Sequence, residues 1–191
     1  MEKLKEYAIA NDVPIIQDEG LEYLIKLLNE NKCETLLEIG SAIGYSALNF
    51  AIGAGVDVYT IERDDDYFNI AIKNIELFDM QHKITIIHSD ALTCDYEFPM
   101  VDVLYIDAAK AQYKKFLNKY EVFLKPGGLI VFDNLDFHGF VDMEPSEIKN
   151  RNTRQLVRKI NEFLTYIKTD DKYSFEVAHV GDGIGIARIN E

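Results

Sequence analysis

A chain of 191 residues, 48% hydrophobic and 28% charged, has the make-up of one globular domain with a sizeable core. Its formal net charge of -13 argues against non-specific nucleic-acid binding over the whole surface, because phosphate affinity comes mainly from Lys and Arg, though a local basic patch stays open. No apolar run nears the roughly 20 residues that span a bilayer, and two distant cysteines, Cys33 and Cys94, imply neither a disulfide framework nor a zinc site.

The charged opening Met1-Glu-Lys-Leu-Lys-Glu has no signal-peptide core behind it, so a cytoplasmic protein with no membrane partner is expected. Leu21, Leu24, Ile25 and Leu28 recur at i, i+3, i+4 and i+7, the stripe of a packed helix. Strand and helix patterns then alternate. Residues 35–39 read as a strand, 45–51 as a helix, 57–62 as a strand and 65–78 as a helix, with Phe68, Ile72, Ile75 and Phe78 on one side. Strands at 83–88 and 101–107 follow, then a helix at 111–124 closed by Lys125-Pro-Gly-Gly128, and a fifth strand at 129–134. A long helix is predicted between Pro145 and Ile167. Residues 175–180 and 183–189 read as an antiparallel pair around a tight Gly181-Asp182 turn. Such alternation with short connections predicts an α/β, Rossmann-like fold: a seven-stranded, mostly parallel sheet with one antiparallel terminal strand and helices on both faces. No repeat or linker interrupts it, so a single domain over 1–191 is expected.

Two strands, Val101-Asp-Val-Leu-Tyr-Ile-Asp107 and Leu129-Ile-Val-Phe-Asp-Asn134, end abruptly in oxygen-bearing side chains. In an open parallel sheet, ligands bind just beyond the carboxyl ends of the strands. Side by side, these two would present Asp107, Asp133 and Asn134 together, a donor set suited to Mg²⁺, Mn²⁺ or Ca²⁺ rather than zinc. Asp and Asn also begin turns after strands. Two such endings, in a chain whose other motifs agree, favour the cation site.

The segment Glu38-Ile-Gly-Ser-Ala-Ile-Gly-Tyr-Ser46 follows the first strand and opens a helix. Gly40 and Gly44 allow a sharp turn, but G-x-x-x-G is one position short of the dinucleotide fingerprint, so a pyrophosphate cradle is not supported. Glu38 would repel phosphates and attract a cation. Glu62 ends the second strand, where an acidic residue takes ribose hydroxyls, and His88-Ser-Asp-Ala91 closes the third, where an adenine edge could be read. Singly, each reads as well as a solvated charge, a helix cap or a packing glycine. In this order they point to a ligand with adenine, ribose, a positive charge and no phosphate: S-adenosylmethionine. An NAD-dependent dehydrogenase would share the sheet but not the missing G-x-G-x-x-G. A non-catalytic S-adenosylmethionine-binding module would tolerate loss of the Asp107, Asp133, Asn134 trio, which is intact.

Glu38 to Ser46, Asp107-Ala-Ala-Lys-Ala-Gln-Tyr113 and Asp133-Asn134 together resemble the cation-dependent O-methyltransferases, the family of catechol and caffeoyl-CoA O-methyltransferases. Within it, Val13-Pro14-Ile15, the Ala-Ala-Lys-Ala-Gln-Tyr variant and Arg154-Gln-Leu-Val-Arg-Lys-Ile160 are most similar to the bacterial tRNA 5-hydroxyuridine methyltransferases. The resemblance implies that Val13 and Ile15 border the cofactor and that Glu38, Gly40, Ser41 and Ser46 meet its methionine end. It further implies that Glu62 holds the ribose, that Asp90 and Ala91 lie by the adenine, and that Asp107, Asp133 and Asn134 bind the metal. Asp107 would also lie near the methionine amine. The family's N-terminal helix is expected to be shortened or missing, since the chain begins close to Val13. His138 stands where the plant branch carries a substrate residue, four after the metal Asn.

Methyl transfer from a sulfonium to oxygen needs a nearly deprotonated hydroxyl held in line with the departing sulfur. Mg²⁺ lowers such a hydroxyl's pKa and keeps open positions for two neighbouring substrate oxygens, as in a catechol or the O4/O5 edge of 5-hydroxyuridine. Lys110, three residues after Asp107, reads on its own as a solvated helix-start lysine; with the resemblance it would take the proton or stabilise the oxyanion. Residues 149–159 carry five cations in eleven positions, with Arg151, Arg154 and Arg158 on one helical face and Leu156, Val157, Ile160, Phe163, Leu164 and Ile167 on the other. A charged outer face is the usual fate of an amphipathic helix. Here it would also suit a tRNA anticodon loop, with Tyr113, Phe137 or Phe140 stacking an extruded base. The resemblance, and secondarily this local basicity, make the wobble 5-hydroxyuridine of tRNA, giving 5-methoxyuridine, the favoured substrate, with small catechols as the alternative. The resemblance also implies a homodimer, with Phe137-His-Gly-Phe140 in its contact. The four histidines show no metal-ligand spacing.

Overall fold

Runs of Val, Ile, Leu and Tyr lay down seven strands in one sheet of order β3-β2-β1-β4-β5-β7-β6. They are β1 (Thr35–Ile39), β2 (Asp57–Glu62), β3 (Ile84–His88), β4 (Val101–Ile106), β5 (Leu124–Phe132), β6 (Tyr173–Ala178) and β7 (Ile184–Ile189). The structure, a computed structural model, describes residues 1–135, 143 and 147–190. The first five strands pair in parallel, and β7, antiparallel to both neighbours, lies between β5 and β6. This is the Rossmann-like, mostly parallel arrangement expected, with the last strand of the chain reversed.

Alternate residues of each strand feed two cores. Leu36, Val58, Val103 and Val131 face α1 (Glu2–Ala10), α2 (Asp18–Glu30), α3 (Tyr45–Ala54) and α4 (Asp65–Leu77). Leu37, Ile61, Leu104 and Phe132 face α5 (Tyr113–Tyr120) and α6 (Arg151–Thr169). Strands buried on both faces read as continuous apolar runs, which is why they were legible.

Several boundaries differ from the sequence reading. The stretch before Val13 forms the nine-residue α1, held by buried Leu4 and Ala8 one turn apart and closed by the Val13 amide on the Ala8 carbonyl (2.9 Å). The Lys125-Pro-Gly-Gly128 segment does not end a helix. It lies inside β5 as a bulge, with Leu124 opposite Val101 and Leu129 opposite Val103. The preceding helix is correspondingly short: 3₁₀ turns at Lys110–Gln112 and Glu121–Phe123 flank α5. Helix α6 starts at Arg151, because the Asn150 side chain caps the amides of Asn152 (2.8 Å) and Thr153 (3.1 Å). On α4 the buried seam runs through Ala71 and Ile75, while Phe68 stacks on His88 instead (centroids 4.3 Å apart). The small Ala71 is needed there because Gly44 packs against it. The Gly181-Asp182 turn stands as read, with the Gly183 amide on the Val180 carbonyl (3.0 Å).

Candidate active site

The carboxyl ends of β1, β2, β3 and β4 open into a cleft of about 410 Å³. Its floor is a tight turn after β1. Gly40, at φ +99°, donates to the Ile61 carbonyl (3.0 Å), and a Cβ there would overlap the Asp107 carbonyl oxygen. Only glycine lets β1 and β4 approach so closely. All of the expected cofactor residues line the cleft except Val13 and Glu38.

Val13 is buried in the core beside α1, and the neighbouring Pro14, Ile15 and Ile16 form that wall. Glu38 lies sealed within the fold, where its carboxylate accepts from the hydroxyls of Ser46 and Thr60 (2.5 Å for Thr60). Burial pushes its pKa up to about 7, against the two hydroxyl donors. Glu38 therefore meets the cleft through Ser46. Glu62 accepts from the amides of Ala42 (2.8 Å), Arg63 (2.8 Å) and Asp64 (2.9 Å), which fix its carboxylate at the cleft wall. Asp90 caps the Leu92 amide (2.8 Å) at the next strand end.

Register brings the oxygen donors of the next two strands together. Ile106 is opposite Phe132, so Asp107 and Asp133 leave the sheet side by side, with the Asp107 amide on the Ile39 carbonyl (3.1 Å) and the Asp133 amide on that of Ile106 (3.2 Å). The Tyr105 hydroxyl donates to Asp133 Oδ2 (3.2 Å) and favours the charged form of Asp107. Tyr113 donates to the Asp133 carbonyl (2.6 Å). Burial, and then the Asp133 charge, hold Asp107 well above the carboxylate range; Asp133 is raised too, chiefly by burial. Asn134 follows in the left-handed region (φ +57°), and its buried Oδ1 has no hydrogen-bond partner. Among the described residues no three His, Cys, Asp or Glu side chains are grouped to hold a metal; beside the two carboxylates, the Asn134 amide oxygen could serve as a further donor. A small cavity of about 20 Å³ beside Asp133 and Asn134 is closed by Asp182 of the β6–β7 turn. Burial lowers the pKa of Lys110, opposed by the charges of Asp107, Asp133 and Asp182.

Tyr113 is 1% exposed and packs edge-on against Phe163 (5.5 Å), so it cannot stack a base. Phe137, His138 and Phe140, with the expected helix start at Pro145, lie outside the described residues. On α6, Arg151, Arg154 and Arg158 line an open groove with Ile148 and Val157 at its base, and Arg158 pairs with Glu162 (2.8 Å). None of the described helices is long and apolar enough to cross a membrane.

A family model described as O-methyltransferase matches residues 1–190. The chain belongs to this O-methyltransferase family. It is 28% identical to a caffeoyl-CoA O-methyltransferase of Populus kitakamiensis, over 96% of this chain and 81% of that one. It is 30% identical to a flavonoid 3′,5′-methyltransferase of Vitis vinifera (98% and 82%). A crystal structure from Staphylococcus aureus, described as a candidate caffeoyl-CoA O-methyltransferase, superposes with a TM-score of 0.93 at 34% identity, covering 99% of this chain and 91% of that one. The protein is thus an S-adenosylmethionine-dependent O-methyltransferase of the cation-dependent type. In this methyltransferase, sequence reasoning passed over Thr60 and Tyr105, the residues that hold Glu38, Asp107 and Asp133. Both sit on strands at positions that read as core, and only the cross-strand register reveals their partners.

Proposed function

We propose that this O-methyltransferase acts on a hydroxyl with a vicinal oxygen, both held on one divalent cation at the ends of β4 and β5, and that its acceptor is 5-hydroxyuridine in a tRNA anticodon loop. The observation that carries the cation is the pair of neighbouring carboxylates, Asp133 buried and Asp107 partly buried, beside an amide oxygen that has no partner. Two such carboxylates repel each other unless a positive charge lies between them. Asp107, Asp133 and Asn134 fit a hard oxygen-seeking ion such as Mg²⁺, with Mn²⁺ or Ca²⁺ as substitutes. When bound, the ion lowers the pKa of the acceptor hydroxyl and fixes its position.

The chain's own residues do the rest. Tyr105 and Tyr113 orient Asp133, and Tyr105 also steadies Asp107. Glu62 would take ribose hydroxyls, and the Gly40 turn brings the backbone close to the methionine end. Lys110 Nζ, with a pKa lowered by burial, takes the hydroxyl proton as the oxygen attacks the methyl carbon and the C–S bond breaks. S-adenosylhomocysteine and the methyl ether leave, and the proton passes to water.

The exposed cations of α6 support tRNA as the acceptor in an otherwise acidic protein. The names of the plant relatives support a second reading, a small catechol-type phenol. Mass spectrometry of tRNA nucleosides from a strain lacking the gene separates the two. Loss of 5-methoxyuridine with accumulation of 5-hydroxyuridine is expected. An unchanged nucleoside profile, with cation-dependent methylation of catechols in vitro, would establish the second reading.

A further inference from the structure

We propose that Gln112 recognises the exocyclic amine of the adenine, a role that rests on reading the cleft as the S-adenosylmethionine site. Its side-chain Oε1 is sealed from solvent without a hydrogen-bond partner, and the residue lines the cleft. Among the described residues only Asn134 shares that condition, and Asn134 belongs to the neighbouring cation edge. A buried carbonyl oxygen without a donor, on a residue that lines a ligand site, is an acceptor awaiting one.

Placement selects which donor. Gln112 ends the 3₁₀ turn after Asp107 and caps the start of α5, on which Phe116 and Tyr120, four residues apart, share one face. That face leans on the segment after β3: the Tyr120 hydroxyl donates to the Ala91 carbonyl (2.6 Å), and Lys119 Nζ bridges the carbonyls of Ala91 (2.9 Å) and Cys94 (2.6 Å). Phe116, 5% exposed, lines the same cleft with Ile61, Ala91 and Leu92. These apolar groups suit the flat faces of a base. The ribose acid, Glu62, stands at the end of β2, and the cationic methionine end has Asp107. The remaining donor of the ligand is the adenine amine, whose two N–H groups need acceptors at the base edge. Asp90, already engaged with the Leu92 amide, offers one carboxylate edge there, and Gln112 offers the other acceptor.

The test is calorimetric and needs neither turnover nor metal. S-adenosylhomocysteine and its analogue with purine in place of adenine, which lacks the amine, are titrated into the wild type, Gln112→Leu and Gln112→Glu. The wild type should prefer the adenine ligand by about tenfold, the scale of one buried hydrogen bond. Gln112→Leu should bind S-adenosylhomocysteine about tenfold more weakly and lose the preference, whereas Gln112→Glu, which keeps an acceptor, should retain it. Equal weakening of both ligands in Gln112→Leu, or no weakening of either, would overturn the role of Gln112 while leaving the cleft's reading intact. A wild type that binds neither ligand would overturn the reading of the cleft and this role with it.

Discussion

Replacing Gly40 by alanine tests how tightly the cofactor turn is built. Two penalties combine at this residue. A side chain at φ +99° lies outside the regions open to L-residues, a strain of about 1–3 kcal/mol. Its Cβ would also overlap the Asp107 carbonyl oxygen, which is backbone and cannot rotate away. Relief requires Gly40 and Asp107 to shift apart, which disturbs the two hydrogen bonds flanking the contact, Gly40–Ile61 to β2 and Asp107–Ile39 between β4 and β1, each worth about 1 kcal/mol. Together these predict a loss of about 4 kcal/mol, or about 8–16 °C in Tm for a protein of this size. Gly55→Ala is the control: its φ is +71°, but an added Cβ meets no atom within 4 Å. That variant should pay the strain alone, about 1 kcal/mol. Urea unfolding followed by circular dichroism reads both. If the two variants lose the same stability, the close approach of β1 to β4 contributes nothing and the account of this turn is wrong.

Glu38→Gln should alter the pH dependence of stability. Because burial raises the Glu38 carboxyl from 4.5 to about 7, the folded state holds its proton longer than the unfolded chain; the contribution is full below pH 4.5 and is lost as pH rises to about 7. The wild type should therefore lose about 3 kcal/mol relative to Glu38→Gln across that window, read from urea midpoints at pH 4.5 and 8; parallel profiles would show that this group does not titrate. Charge reversal at Arg151 and Arg154 should reduce tRNA methylation about tenfold or more at physiological salt and leave catechol methylation within about twofold, with Arg158 spared because Glu162 already partly neutralises it. Equal losses on both substrates would remove the α6 face from substrate recognition.

What the sequence made legible was the alternation of buried strands and the residues at their ends, because a parallel sheet covered on both faces leaves apolar runs that stop at its ligand edge. Glu62, Asp90, Asp107, Asp133 and Asn134 follow directly from that rule. What it hid depended on partners far along the chain. Lys125-Pro-Gly-Gly128 carries the composition of a turn, yet the register of Leu124 against Val101 keeps it inside β5. The hairpin pattern of β6 and β7 was clear, but nothing local says that β7 slots beside β5 and leaves β6 at the edge. Val13 was read as a cleft residue from the family resemblance and Glu38 from its strand end as well, and packing turned both inward. Gln112 carried no signal at all, since an unpartnered oxygen becomes visible only once α5 is set against the cleft.

Titration of Mn²⁺ followed by electron paramagnetic resonance decides whether one divalent ion is held where β4 and β5 end. The wild type should bind one Mn²⁺ per chain, displaced by Mg²⁺ and removed by EDTA. Asp133→Asn and Asn134→Ala should each lower that affinity about tenfold or more while S-adenosylhomocysteine still binds. Mn²⁺ binding unchanged in both variants would contradict the account.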